Sequence, residues 1–151
     1  MWANQYDHKK VYTGRLEYDK DLLAQINLFC LENNITKGYI SVLGALKKAN
    51  LGYYNQESKK YQSFEINKPV EIVNCYGNIS IKDQKPFAHI HLIVSDDKGN
   101  TKAGHTMPGC IIFAGEVYIH QVEGPDLIRD YNDLTGLPLW KNPSWRISKH
   151  N

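Results

Sequence analysis

The chain has 151 residues, of which 42% are hydrophobic and 23% charged, and a formal net charge of +2. That length is enough to bury a core as one domain, and the ordinary apolar fraction excludes a disordered or collagen-like polypeptide. The balance of 18 basic against 16 acidic residues lacks the strong basic excess of an autonomous nucleic-acid binder.

Met1 to His8 contain no apolar core of a signal peptide, and no stretch reaches the roughly 18 apolar residues of a membrane span. Cys30, Cys75 and Cys110 are isolated, odd in number and set among apolar neighbours, which reads as three free thiols. The expected location is a reducing cytoplasm, with no membrane partner.

Lys10 to Tyr18 alternates as a strand. Asp19 is the expected N-cap of a helix from about Lys20 to Glu32. Leu22, Leu23, Ile26, Phe29 and Cys30 supply its apolar stripe, and Asn33-Asn34 tolerate a left-handed ending. From Gly38 the period becomes two. Tyr39 to Val42 reads as a strand broken at Gly44. Ala49 to Tyr54 is expected to pair with Tyr61 to Ile66 across a polar loop. Val70 to Ile81 reads as a strand interrupted at Gly77, and Pro86 to Ser95 as the next one. Ile111 to Val122 is rich in β-branched and aromatic residues. Asp126 to Tyr131 is a short helix or strand, and the Gly- and Pro-bearing tail from Leu134 is mostly loop. The fold class is α+β, a mostly antiparallel sheet with a packed helix, in a single domain over 1–151 with its core at about 11–140. One helix of that length leaves apolar strand surface for an oligomer to cover.

The most informative residues are His89, His91 and His105. His89 and His91 are two apart in an apolar run, so in a strand both imidazoles project from one face. Asp96-Asp97-Lys98-Gly99-Asn100 is a turn signal, read as Asp capping its own backbone. A hairpin centred on Lys98 puts His105 directly across from His91, where Cβ atoms lie roughly 4.5–5.5 Å apart. Three converging imidazoles form the ligand set of an open divalent-metal site, zinc above all, although copper, nickel and cobalt also accept such a set. Metal binding is expected to weaken as the imidazoles protonate near pH 6. Each histidine taken singly is also an ordinary strand residue.

Glu116 and His120 share a face of the last long strand. Glu116 is a candidate fourth ligand, hydrogen-bond partner of a ligating imidazole or general base, or else an exposed carboxylate; His120 is read as structural. Arg15 and Arg129 are read as partners of salt bridges inside the fold, with anion binding near the histidines the other role. Tyr53, Tyr54 and Tyr61 are candidates for a pocket wall or for sheet packing.

In their order along the chain, His89-x-His91, Gly99, Ala103-Gly104-His105-x-x-x-Gly109 and Gly115-Glu116-Val117 resemble the PPC domain (DUF296), the plant and prokaryote conserved domain. Gly38 to Ala45, Ala49 to Tyr54 and the Leu134 to Trp140 ending extend the resemblance over about Val11 to Trp140. One departure is Ala103, where the family commonly has glycine. The resemblance implies a homotrimer and a histidine cluster made of His89, His91 and His105. It also implies a DNA-binding label, inherited from plant members that carry AT-hooks. This chain has no AT-hook and no basic arm, so only weak, salt-sensitive DNA binding is expected. A patch of Lys47, Lys48, Lys59 and Lys60 would carry it. The functional expectation is a metal- or small-ligand-binding module. The alternatives are a DNA-binding regulator and a small metal-dependent hydrolase or lyase.

Overall fold

The computed structural model describes residues 3–141. Its elements in chain order are β1 (Asp7–Leu16), α1 (Leu22–Glu32), β2 (Gly38–Asn55), β3 (Lys60–Ile66), β4 (Val70–Lys82), β5 (Lys85–Ser95), β6 (Thr101–Thr106), β7 (Ile111–Glu123), β8 (Arg129–Asn132) and β9 (Leu137–Trp140). The main sheet runs β1-β7-β2-β4-β5-β6, with β3 beside β2, and every pairing between strands is antiparallel. β2 bends. Its first half pairs with β4 as far as Leu46, and its second half reaches β6 at Leu51 and Gly52. Strands β2, β4, β5 and β6 therefore close on one another.

The core lies between α1 and one face of this sheet. Leu22, Ile26 and Cys30 recur every four residues along one side of α1, and all three are buried. They meet Ile40, Val42 and Leu46 of β2, Ile79 of β4, Ile90 and Leu92 of β5, and Ile112 and Ile119 of β7. Each fully buried Leu or Ile contributes roughly 1.5–3 kcal/mol. All three cysteines are free and buried. Burial pushes the Cys30 and Cys75 thiols up to about 12 and that of Cys110 up to about 11, which makes them inert packing groups.

Several local expectations change. The cap of α1 is Asp21, not Asp19: Asp21 Oδ1 accepts from the backbone N–H of Ala24 at 2.9 Å. Its Oδ2 accepts from the N–H of Gly109 at 2.7 Å, tying the helix start to the loop before β7. Asp19 has φ 62 in the preceding turn and pairs with Lys47. Asn34, at φ 53, takes the left-handed ending. β2 is one strand rather than two, because Gly44 (φ 137) carries it through a shift of register. A Cβ there would lie 2.1 Å from the carbonyl oxygen of Ala114. β4 likewise runs unbroken through Gly77. Of the two readings of Asp126 to Tyr131 the strand holds, at Arg129–Asn132. In the tail, Leu137–Trp140 is strand rather than loop and pairs with it as a separate two-stranded sheet; the rest of the tail, 142–151, lies outside the described residues. Such a ribbon has free edges, so Pro138 costs it no ladder bond.

The face of the main sheet turned away from α1 carries exposed apolar side chains: Leu43 of β2, Val73 and Tyr76 of β4, and Ile93 of β5. A row of rings crosses this face. His120 stacks on Tyr39 at 4.4 Å between centroids, Tyr39 lies 6.4 Å from Tyr76, and Tyr76 is the cross-strand partner of His91. No helix among the described residues is long and apolar enough to cross a membrane.

Candidate metal centre

β5 is buried on one side and open on the other. Ala88, Ile90, Leu92 and Val94 point into the core, while His89, His91 and Ile93 point outward. The turn after β5 fixes the register of β6. Asp96 Oδ1 accepts from the backbone N–H groups of Lys98 and Asn100, and Gly99 takes φ 78. Lys68 pairs with Asp96 at 2.6 Å, and that bond holds the Asp96 carboxyl well below the usual range. This turn sets His91 opposite His105, the register expected from the sequence. Gly52 of β2 pairs with His105 from the other side.

The three rings converge, with centroid separations of 5.2 Å (His89–His91), 4.9 Å (His89–His105) and 5.5 Å (His91–His105). One ring nitrogen from each lies within 4.8 Å of the others. Zn–N bonds of about 2.0–2.1 Å in a tetrahedron place ligand nitrogens roughly 3.3 Å apart, so small side-chain rotations would close the set on a cation. His89 and His105 are half-buried and His91 is exposed, which leaves one side open. A shallow cavity of about 430 Å³ adjoins that side, lined by Asn74, Tyr76, Asn78, His89, His91 and Ile93 among others. A larger apolar groove of about 550 Å³ between α1 and β1 contains none of these histidines.

The residues fit a divalent cation. Nδ1 of His105 is buried and has no hydrogen-bond partner among the described residues; an orphaned buried nitrogen costs roughly 1–3 kcal/mol, and a cation on that nitrogen would offset it. Burial first, then the charge of Arg129 and of the other two rings, pushes the His89 imidazole down to about 4. Burial, then His91, then Arg129 does the same to His105. Both rings are neutral at pH 7, as metal ligands must be. Proton competition at these two rings therefore begins toward pH 4, rather than near the pH 6 expected of free imidazoles. Both values fall on folding from an ordinary 6.5, so between pH 6.5 and 4 the unfolded chain binds more protons than the folded one. Urea midpoints of the metal-free protein should be constant above pH 6.5 and fall steadily as pH drops toward 4. A midpoint that rises over that window would contradict the burial of these rings.

Arg129 is the side chain that sequence reasoning placed in the wrong company. It forms no salt bridge among the described residues. Its guanidinium donates to Ser80 Oγ (2.7 Å), the Pro138 carbonyl (2.9 Å), Asn78 Oδ1 (3.0 Å) and His89 Nδ1 (3.2 Å). It also lies over the rings of Phe87 and Trp140. The β8–β9 ribbon is thereby pinned beside the histidines, a position hidden in the sequence because Gly136 and Pro138 read as loop. Tyr61 of β3 supplies a wall, its ring 5.0 Å from that of His105, and burial pushes its hydroxyl up. Tyr54 holds the ribbon through the Thr135 carbonyl at 2.7 Å, whereas Tyr53 is exposed.

Glu116 is not brought to this group. It is exposed on β7 with Arg15 and Leu43 as cross-strand neighbours. β2 and β4 stand between β7 and β5, a lateral separation of about 14 Å at roughly 4.8 Å per strand. The lysine patch also divides. Asn55 pairs with Lys60 and Ala49 with Ile66, so Lys59 and Lys60 sit at one end of the β2–β3 hairpin and Lys47 and Lys48 at the other. Lys47 is moreover paired with Asp19, and Lys59 donates to the Asp133 carbonyl.

Known proteins share this fold. A crystal structure described as a metal-containing protein from Archaeoglobus fulgidus is 39% identical, with a TM-score of 0.89, over 93% of this chain and 99% of that one. A plant- and prokaryote-conserved (PPC) protein from Pyrococcus horikoshii is 28% identical, with a TM-score of 0.89, over 96% and 100%. A Bacteroides thetaiotaomicron structure, provisionally named a DNA-binding protein, is 27% identical, with a TM-score of 0.81, over 92% and 99%. The curated relatives are two Synechococcus proteins named bifunctional protein GlmU, 29% and 26% identical, and the chain spans only 16% and 22% of their length. The family model for the Plants and Prokaryotes Conserved (PCC) domain matches residues 3–123, and the chain belongs to that family.

Proposed function

We propose that this chain is a metal-binding module that holds one divalent cation, zinc first among the candidates, on His89, His91 and His105. The observation that carries the reading is the convergence of three ring nitrogens, two of them on rings kept neutral by burial, with Nδ1 of His105 orphaned. The metal-containing description of the Archaeoglobus fulgidus neighbour supports it. Bound there, a zinc-type ion would supply Lewis acidity toward a ligand on the open side. The ribbon, Tyr61 and Phe87 limit water, and His91 faces the entry. With Glu116 three strands away, the histidine cluster includes no carboxylate among the described residues to move a proton. A binding role is therefore better supported than a hydrolase or lyase.

Metal analysis of untagged protein tests the proposal. About one equivalent of zinc or a related ion per chain is expected, and substoichiometric metal that does not respond to His91→Ala would overturn it.

The exposed outer face of the sheet supports assembly as a homotrimer, with Leu43 51%, Val73 54% and Tyr76 58% exposed on a strand surface that a subunit contact would bury. Light scattering should give about 52 kDa for three copies of the 17.3 kDa chain. A monomer mass at micromolar concentration would contradict it. DNA binding, the provisional description of one neighbour, is the second reading; with the lysines split between two ends of a hairpin, only a weak, salt-sensitive interaction is expected.

A further inference from the structure

We infer that the open side of the histidine site takes an oxyanion, a carboxylate or a phosphate group, and that Arg129 recognises it; this rests on the metal reading above. Arg129 is a permanent donor, so His89 Nδ1 accepts from it at 3.2 Å and the proton of the neutral ring sits on Nε2. A histidine that ligates a metal ordinarily does the opposite, donating from its second nitrogen to an acceptor. If His89 meets a cation through Nε2, its proton moves to Nδ1, and Nδ1 then faces a guanidinium as a second donor. If it meets the cation through Nδ1, the lone pair that Arg129 uses is consumed. By either route one Nη2 hydrogen of Arg129, the one aimed at His89, loses its acceptor when His89 becomes a ligand, while the other keeps Asn78 Oδ1.

The local charge points the same way. Among the described residues the cluster consists of three histidines with no carboxylate, and the other acceptors of Arg129 there are a hydroxyl, an amide and a backbone carbonyl. A divalent cation beside Arg129 would leave a half-buried site with three uncompensated positive charges, and such a site must find anions. Arg129 cannot simply swing away, because Ser80, Asn78, Pro138, Phe87 and Trp140 hold its guanidinium. It is a fixed donor at the rim of the site, and planar oxyanions are what a guanidinium recognises best. Cation and anion should therefore bind cooperatively, each tightening the other by the same factor.

The test is a Co²⁺ titration of untagged wild-type protein, followed by the visible absorption of the bound ion. It is run in buffer alone, with millimolar acetate and with millimolar inorganic phosphate. At least one anion should tighten Co²⁺ binding by about 10-fold, inside the usual 5–150-fold range of coupling between sites; which anion does so separates a carboxylate from a phosphate ligand. Free anion complexes Co²⁺ in solution and so acts in the opposite direction. Arg129→Gln should bind Co²⁺ without this anion dependence. If that variant does not fold, Arg129→Lys, which keeps the charge but loses the planar fork, should show a reduced effect. Wild-type affinity unchanged or weakened by both anions overturns the inference and leaves the metal reading standing. Absence of Co²⁺ binding overturns both.

Discussion

His105→Ala is expected to reduce metal affinity by at least ~100-fold, since even the loss of a residue that merely orients a ligand costs 10–100-fold. The ring sits between His91 and Gly52 in register, so no neighbouring side chain can take its place. The same substitution removes a buried nitrogen that lacks a partner, which offsets part of the packing lost against Tyr61. The metal-free variant should therefore unfold at nearly the wild-type urea concentration. Added metal should raise wild-type stability by about 2.7 kcal/mol at a free concentration 100 times its Kd, and that of the variant by no more than about 0.4 kcal/mol at the same concentration. Calorimetric titration together with urea unfolding measures both. Equal metal stabilisation of the two proteins would remove His105 from the site.

Gly77→Ala is the second large effect, and it acts on the fold rather than on the chemistry. β4 and β5 approach so closely at this point that a Cβ on residue 77 would lie 2.2 Å from the carbonyl oxygen of His89 and 2.8 Å from Cγ1 of Ile90. Backbone cannot move aside as the end of a side chain can, so the strands must separate beneath the first histidine. A loss of more than about 3 kcal/mol is expected, as for severe overpacking, with little soluble protein recovered. Gly99→Ala is the matched control. It has φ 78 but nothing within 4 Å of its added Cβ, so only the left-handed backbone penalty of about 1–2 kcal/mol applies. If Gly77→Ala were the milder of the two by thermal melting, the close approach of β4 and β5 would be wrong.

These positions show how far the sequence could be read. The period-two pattern of β5 and the Asp-Asp-Lys-Gly-Asn turn predict both the outward face of His89 and His91 and the register of His105, because pleat and turn are local properties. The helix is legible for the same reason, apart from its cap. Asp19 and Asp21 are equally good capping residues in isolation, and the choice is made by a distant N–H, that of Gly109. Gly44 and Gly77 read as breaks because a glycine's neighbours across the sheet are invisible in one dimension; both are positions where two backbones touch. Glu116 illustrates the same limit. Its face along β7 was readable, but its distance from β5 depends on strand order, which places β2 and β4 between them. The contacts of Arg129 and the strand β9 were hidden most deeply, since strand was one of two readings of Asp126 to Tyr131 but only tertiary contacts hold the ribbon against Ser80 and Asn78.

X-ray absorption at the zinc edge of the loaded, untagged protein tests the central claim most directly, because it reports the donor atoms themselves. The account predicts a nitrogen shell at about 2.0–2.1 Å with the outer-shell scattering of three imidazoles, falling to two in His91→Ala. A sulfur shell at about 2.3 Å, or a shell of oxygens with no imidazole scattering, would contradict it.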